Sequence, residues 1–214
     1  MQKKNLQQKV PRKERERLQR QRELLEAAEE VFSLKGFHNA TIQEISEKSE
    51  FAVGSIYHMF AGKDEVYLAL LRMRFEEYLI TLDERWERVK DPLEKVRVFI
   101  QTRFEFFYEH RTLFRLILTT TYGPQWDVRN GLEEKLINRY EEHLKLLAEI
   151  VQEGIRKNIF EGDDSFGMAL AIEGMINAFV GYWIRNKDKE FSFPKKTTVE
   201  EVFFKGILKT RKKI

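Results

Sequence analysis

The stretch from Leu24 to Val66, LLEAAEEVFSLKGFHNATIQEISEKSEFAVGSIYHMFAGKDEV, constrains this chain more than any other. It opens with Leu24, Leu25, Ala28, Val31 and Phe32 at three- and four-residue spacing, the pattern of a helix with one apolar face. Gly36 ends that helix, because glycine alone takes the left-handed position after a helix without a Cβ penalty. Thr41-Ile42-Gln43-Glu44 reads as a capping box. The Thr41 hydroxyl caps the next helix, and Glu44 reaches back to the N–H of the cap. That helix is short, turns Ile42 and Ile45 inward and fades at Ser46-Glu47-Lys48-Ser49. Val53, Ile56 and Phe60 repeat the helical spacing just beyond it. Two short helices joined by a tight turn and buttressed by a longer one meet the requirement of a helix-turn-helix reader of DNA.

The segment Gly54-Ser55-Ile56-Tyr57-His58-Met59-Phe60-Ala61-Gly62-Lys63 resembles the recognition-helix signature of the tetracycline-repressor (TetR) family. The resemblance extends back through Thr41 and the run Ala27-Ala28…Phe32…Lys35-Gly36-Phe37, covering roughly residues 20 to 70. It implies phosphate contacts from Thr41, Tyr57 and Lys63. Ser55, His58 and Gln43 are the polar side chains best able to reach base edges, and Gly54 lets the helix backbone approach the duplex. Three positions depart from the family pattern. Glu50 stands where the turn normally has glycine. Ala52 replaces a Ser or Thr cap, which weakens the third helix by about 1 kcal/mol. Val53 replaces a polar or basic residue and offers an apolar touch to a thymine methyl.

A basic arm precedes this unit. Residues 1–22 hold nine Lys or Arg side chains against Glu14 and Glu16, although the whole chain is only +3. Taken alone the arm reads equally well as a solvated tail; beside a helix-turn-helix it is an electrostatic footprint for phosphate.

The fold class is all-α. About nine helices are predicted, near 12–35, 41–48, 52–59, 63–89, 91–109, 111–121, 128–158, 163–187 and 197–212. Pro11, Pro92, Pro124 and Pro194 fall where the helical periodicity breaks. The expected division is residues 1–66, the helix-turn-helix with its arm, and residues 67–214, a helical ligand-binding and dimerisation domain. At 214 residues, 42% hydrophobic and 34% charged, the chain can bury a proper core for such a plan.

Residues 99–126 are rich in large rings: Phe99, Phe104, Phe106, Phe107, Tyr108, Phe114, Tyr122 and Trp126. Most read as ordinary core. The family resemblance implies an effector pocket in this second domain, and Phe107, Tyr108, Phe114, Tyr122, Trp126, Tyr140, Phe179 and Trp183 are its candidate lining.

Gly167, Ala171, Gly174, Ala178 and Gly181 form a stripe of small residues down a helix about 35 Å long. Glycines inside a helix cost roughly 1 kcal/mol each relative to alanine, so close approach of another helix must offset them. Packing within the same chain and packing against a second chain fit the pattern equally. The family resemblance favours a dimer seam, shared with Val202 and Phe203 of the last helix.

Catalysis is not expected. There is no cysteine, no glycine-rich phosphate loop after a strand and no Gly-x-Ser-x-Gly turn. His38, His58, His110 and His143 lack metal-ligand spacing, and Glu133-Glu134, Glu141-Glu142 and Asp163-Asp164 read as solvated faces or helix starts. No catalytic residue, metal or cofactor is assigned. The absence of an apolar run near 18 residues or a secretion signal, with zero cysteine, points to the cytoplasm.

The expectation is therefore a homodimeric, sequence-specific regulator of transcription. It is read as a repressor on a palindromic operator, released by a small, largely apolar effector. An architectural, non-specific nucleic-acid protein is the alternative: it accounts for the arm but not for the turn chemistry or the small-residue seam.

Overall fold

The computed structural model describes residues 11–111, 129–185 and 198–207. Eight helices occur among them: α1 (Arg12–Lys35), α2 (Ile42–Ser49), α3 (Val53–Met59), α4 (Lys63–Glu87), α5 (Pro92–Glu109), α6 (Arg129–Arg156), α7 (Ser165–Arg185) and α8 (Thr198–Ile207). No β-strand is present among the described residues. The predicted helix at 111–121 lies almost wholly outside them, as do residues 208–212 of the predicted last helix. The chain divides into two compact units, Met1–Met73 and Arg74–Ile214.

In the first unit, α1 buries Leu24, Leu25, Ala27, Ala28, Val31 and Phe32. Its first three turns carry no buried residue. Gly36 ends it at φ 77° and ψ 161°. The positive φ was expected, but this ψ lies far from the left-handed helical well, in a region that is nearly glycine's alone. The capping box forms as read. Glu44 N donates to Thr41 Oγ1 at 3.2 Å, and Thr41 N donates to Glu44 Oε2 at 3.0 Å. Lys35 pairs with the same carboxylate and, with the hydrogen bond from Thr41, holds Glu44 below its usual range. Phe32, Phe37 and Tyr67 close the core, with Tyr67 edge-on to Phe32 at 5.6 Å and 5.1 Å from Phe37.

The turn between α2 and α3 keeps the geometry of a glycine turn without the glycine. Glu50 sits at φ 58° and ψ 21°, left-handed. Ser46, which reads in the sequence merely as part of a fading helix end, is buried and donates its hydroxyl to Phe51 O across the turn. Ala52 precedes α3 with no side-chain cap, as its methyl dictates.

In the second unit, Asp91 caps α5, accepting from Glu94 N at 3.1 Å, and Pro92 occupies the first turn. Its core takes Phe99, Ile100, Phe104, Phe106 and Phe107 from α5, Leu144, Leu147 and Val151 from α6, and Ile172, Ile176 and Val180 from α7. From α4 it takes Tyr78, Leu82 and Trp86; α8 adds Val199, Phe203 and Phe204. At the end of α6, Gly154 makes room for a ring, since an added Cβ would fall 2.2 Å from Phe160.

The left-handed Glu50 costs about 1 kcal/mol relative to a residue without a Cβ. Glu50→Gly should therefore raise the stability of the full chain by up to about 1 kcal/mol in denaturant titration; a loss of stability would show that the Glu50 side chain contributes a contact that outweighs its strain.

Candidate nucleic-acid interface and interior polar cluster

α3 turns one residue, Ile56, fully into the core of the first unit. With that side anchored, Gly54, Ser55, Tyr57 and His58 face outward and are all exposed. Tyr57 in particular stands 55% exposed, so it does not pack back on α1. Val53 is half-buried. Gly54 has open space where a Cβ would stand, as close approach of a duplex requires. On α2, Thr41 and Gln43 are exposed, and Gln43 donates to Glu47 at 3.1 Å.

Between the start of α1 and α3 runs an open groove of about 940 Å³. Pro11, Lys13, Glu14, Glu16, Arg17 and Arg20 line one wall; Phe51, Gly54, Ser55, His58 and Met59 line the other. From Arg12 onward the basic arm is thus a helix beside the recognition helix, not a loose tail. Several of its cations are held within the helix: Arg12 pairs with Glu16, Arg17 with Glu14 and Arg22 with Glu26. The Glu14 carboxyl is kept below its usual range chiefly by its hydrogen bond from Arg17. Residues 1–10 of the arm lie outside the described residues.

Lys63 shows a second role beside the phosphate contact implied by its motif. Its ammonium donates to His38 O at 3.1 Å and Ala40 O at 2.8 Å, and lies 4.7 Å from the Phe37 ring centre. Two of its three donors are committed to the loop that leads into Thr41. The sequence motif carries no sign of this clamp.

The second unit places a polar cluster in its apolar interior, one residue from each of four helices. Tyr78 of α4 lies 3.3 Å from His143 Nε2 of α6 through its hydroxyl. Arg103 of α5 lies with its guanidinium 5.1 Å from the Tyr78 ring centre and 4.9 Å from that of Phe107. Glu173 of α7 faces Arg103 at 3.5 Å and is 1% exposed. Burial, countered in part by Arg103, pushes the Tyr78 phenol well above its ordinary range. Burial first, and the Arg103 charge second, lower the His143 imidazole to about 4. His143 also stacks on Trp86 at 5.7 Å. Only His143 of these four stood out in the sequence, and only as a residue without metal-ligand spacing. Tyr78, Arg103 and Glu173 carry no local signal, because their partners are distant along the chain.

Of the candidate pocket residues, Phe107 is buried and Trp183 is half-buried, stacked on Tyr108 at 6.4 Å. Tyr108 and Phe179 stand 44% and 41% exposed, on the surface of the chain rather than inside it. Phe114, Tyr122, Trp126 and the Tyr140 side chain lie outside the described residues. Along the small-residue stripe, Ala171, Gly174 and Ala178 are exposed, and Gly167 and Gly181 are half-buried. Gly167 lies beneath the Asp164 carboxylate that accepts its N–H at 2.8 Å. Val202 is exposed, but Phe203 is 5% exposed and belongs to the core of its own unit, because Phe203 and Phe204 both turn inward. Among the described residues no three metal-ligating side chains come together, and no helix is long and apolar enough to cross a membrane.

The neutral, buried His143 has a consequence for acid stability. An unfolded histidine takes up a proton near pH 6.5, whereas the folded one resists until about 4. Its contribution is complete above about 6.5 and is lost progressively as the pH falls towards 4, roughly 3 kcal/mol when fully developed. Denaturant titrations at pH 7 and pH 4.5 should show a smaller acid loss in His143→Gln than in the unaltered chain; equal losses would mean that other groups carry the effect.

Residues 24–70 match the sequence signature described as "Bacterial regulatory proteins, tetR family". The "Fatty acid metabolism regulator protein" of Bacillus subtilis is 24% identical over 186 residues, covering 86% of this chain and 94% of that one. The "HTH-type transcriptional repressor KstR2" of Mycolicibacterium smegmatis is 28% identical over 153 residues, 67% of this chain and 69% of its own. The crystal structure of the transcriptional regulator FadR from Bacillus subtilis in complex with stearoyl-CoA superposes with a TM-score of 0.71. It is 22% identical, over 86% of this chain and 98% of that one, and shows a shared fold. With the capped helix-turn-helix and the exposed Gly54, Ser55, Tyr57 and His58, these similarities show that residues 24–70 are a DNA-binding unit of the tetR family and that the chain is a DNA-binding transcriptional regulator.

Proposed function

We propose that this regulator is a homodimeric repressor that reads a palindromic operator through Ser55, His58 and Gln43, and leaves it when a largely apolar effector binds. The observation that carries the reading is the outer face of α3. It presents polar side chains at the surface over a single buried anchor, Ile56, beside a groove walled by Lys13, Arg17 and Arg20. Tyr57, Thr41 and the free donor of Lys63 are assigned to phosphate, which fixes register without reading sequence. In this reading residues 1–66 form the DNA-binding domain, and residues 67–214 bind the effector and dimerise. The protein acts in the cytoplasm and catalyses no reaction.

The dimer seam is assigned to the outer face of α7. Around Ala171, Gly174 and Ala178, the side chains Phe166, Leu170, Phe179 and Tyr182 stand between 41% and 57% exposed, a large apolar face for one helix of a single chain. An added Cβ at Gly174 or Gly181 would meet nothing, so a second helix has room to approach. Val202 extends this face onto α8. A two-fold axis through such a seam presents two copies of α3 to successive major grooves, hence the palindrome.

The Bacillus subtilis fatty acid metabolism regulator and the stearoyl-CoA complex of Bacillus subtilis FadR point to a long-chain acyl-CoA as the effector class. Such an effector must favour the DNA-free state by about 1–3 kcal/mol to matter. Stearoyl-CoA should then weaken operator binding roughly 5- to 150-fold in an anisotropy titration; an unchanged affinity would exclude it as the effector.

Salt and substitution separate specific readout from the architectural alternative. With on the order of 6–10 phosphate contacts per dimer, affinity should fall by about 10³–10⁵ between 50 and 200 mM salt. Tyr57→Phe should weaken all duplexes alike, whereas Ser55→Ala should change the ranking among duplexes of different sequence. If both variants merely scale every affinity, the base-reading role of Ser55 is wrong.

A further inference from the structure

The face of α1 that packs in the core does not stop at Leu24. Followed back towards Arg12, the positions Val31, Ala28 and Leu24 continue at three- and four-residue steps through Arg20, Arg17 and Lys13, so one helical face passes from apolar to cationic. These three cations line one wall of the open groove beside α3. No residue from Arg12 to Glu23 is buried, a stretch of about 18 Å at 1.5 Å per residue. A helix of that length without packing is marginal in water. What the face gains by staying helical is a fixed row of cations.

The two walls of the groove differ in chemistry. The facing wall offers half-buried Phe51 and Met59 and the bare backbone of Gly54, beside the polar Ser55 and His58. A nucleic-acid strand alternates charged phosphates with apolar sugar faces and matches both walls at once. The rise from Lys13 to Arg20 is about 10 Å, and phosphates of one strand recur about every 3.4 Å along a duplex axis, so the row spans more than one phosphate. Arg17, the middle cation, is already engaged. Its Nε donates to Glu14 Oε2 at 3.0 Å and its Nη2 to Glu14 Oε1 at 2.7 Å, a fork of the kind that a phosphate also accepts. Both side chains meet solvent, so the pair is weak and exchangeable. Glu16, the other carboxylate of the wall, is held by Arg12, which does not line the groove. Lys13 and Arg20 pair with no carboxylate among the described residues.

We propose that the first three turns of α1 and α3 clasp one sugar-phosphate strand of the duplex between them, and that Glu14 occupies Arg17 as an internal stand-in for phosphate, which the strand displaces. The inference rests on the DNA reading above and adds a second element to it. The strand in the groove is the one bordering the major groove that α3 enters. The α1 face grips its backbone without reading bases, and Glu14 weakens that grip so that the protein can leave.

The test is an anisotropy titration of the full-length protein on a random-sequence duplex pool at several salt concentrations. None of the substituted side chains belongs to the core, so the variants keep the fold. Lys13→Gln and Arg20→Gln should each flatten the slope of log affinity against log salt by about 2 per dimer, at about 0.9 for each lost phosphate contact. Arg15→Gln makes the same charge change on the opposite face of α1, outside the groove, and should leave the slope nearly unaltered. Glu14→Gln should raise affinity for all duplexes alike by about two- to thirtyfold, as expected for two exposed pairs per dimer. That gain should vanish when Arg17→Gln is also present. Equal slopes for the Lys13, Arg20 and Arg15 variants would overturn the clasp, whether or not α3 selects a sequence. No gain from Glu14→Gln, or a gain that persists without Arg17, would overturn the stand-in. Face-specific slopes on a pool that yields no enriched duplex would support the clasp and instead overturn base reading by α3.

Discussion

The reciprocal hydrogen bonds between Thr41 and Glu44 are the constraint on which the DNA-reading unit depends. They fix the residue at which α2 begins, and so the register with which Ile42 and Ile45 meet the α1 face of Leu24, Ala28 and Phe32. Everything downstream inherits that register. The Ser46–Phe51 bond and the left-handed Glu50 set the angle between α2 and α3, and α3 in turn points Ser55, Tyr57 and His58 outward. Lys35 supports the box from α1, and Lys63 supports the loop before it from α4. Each of these contacts is small, and together they determine the direction in which a short helix faces.

The two units handle polarity in opposite ways. The first places its charge outside, in helix-internal pairs and a basic groove, where salt screens it and a duplex can compete for it. The second buries Tyr78, Arg103, His143 and Glu173 among rings, where screening is weak and every unmatched atom is costly. Surface charge of the first kind suits reversible binding to a polyanion.

Much of this was legible along the chain because its causes are local. The capping box, the stop at Gly36 and the proline at the start of α5 depend on neighbours within four residues, and α1, α4 and α5 begin within a residue of their expected positions. What escaped depends on distance. Ser46 looked like a fading helix end until its partner across the turn was in view. Phe203 looked like a seam residue because an apolar helical face does not say which neighbour covers it. The Arg103–Glu173 pair joins helices 70 residues apart, and no spacing rule reaches that far. Glu50 and Ala52 were legible as departures, and the turn keeps its shape with Glu50 left-handed and α3 without a side-chain cap.

The central claim is that two copies of α3, held by one two-fold seam, read a specific sequence. Selection of bound duplexes from a random pool, followed by the mass of the complex on the enriched duplex, tests it most directly. The account predicts a palindrome whose half-sites lie about one helical turn or somewhat more apart, bound by an even number of chains. No enrichment, with binding to every duplex alike, would contradict it and leave the basic helix as a non-specific clamp.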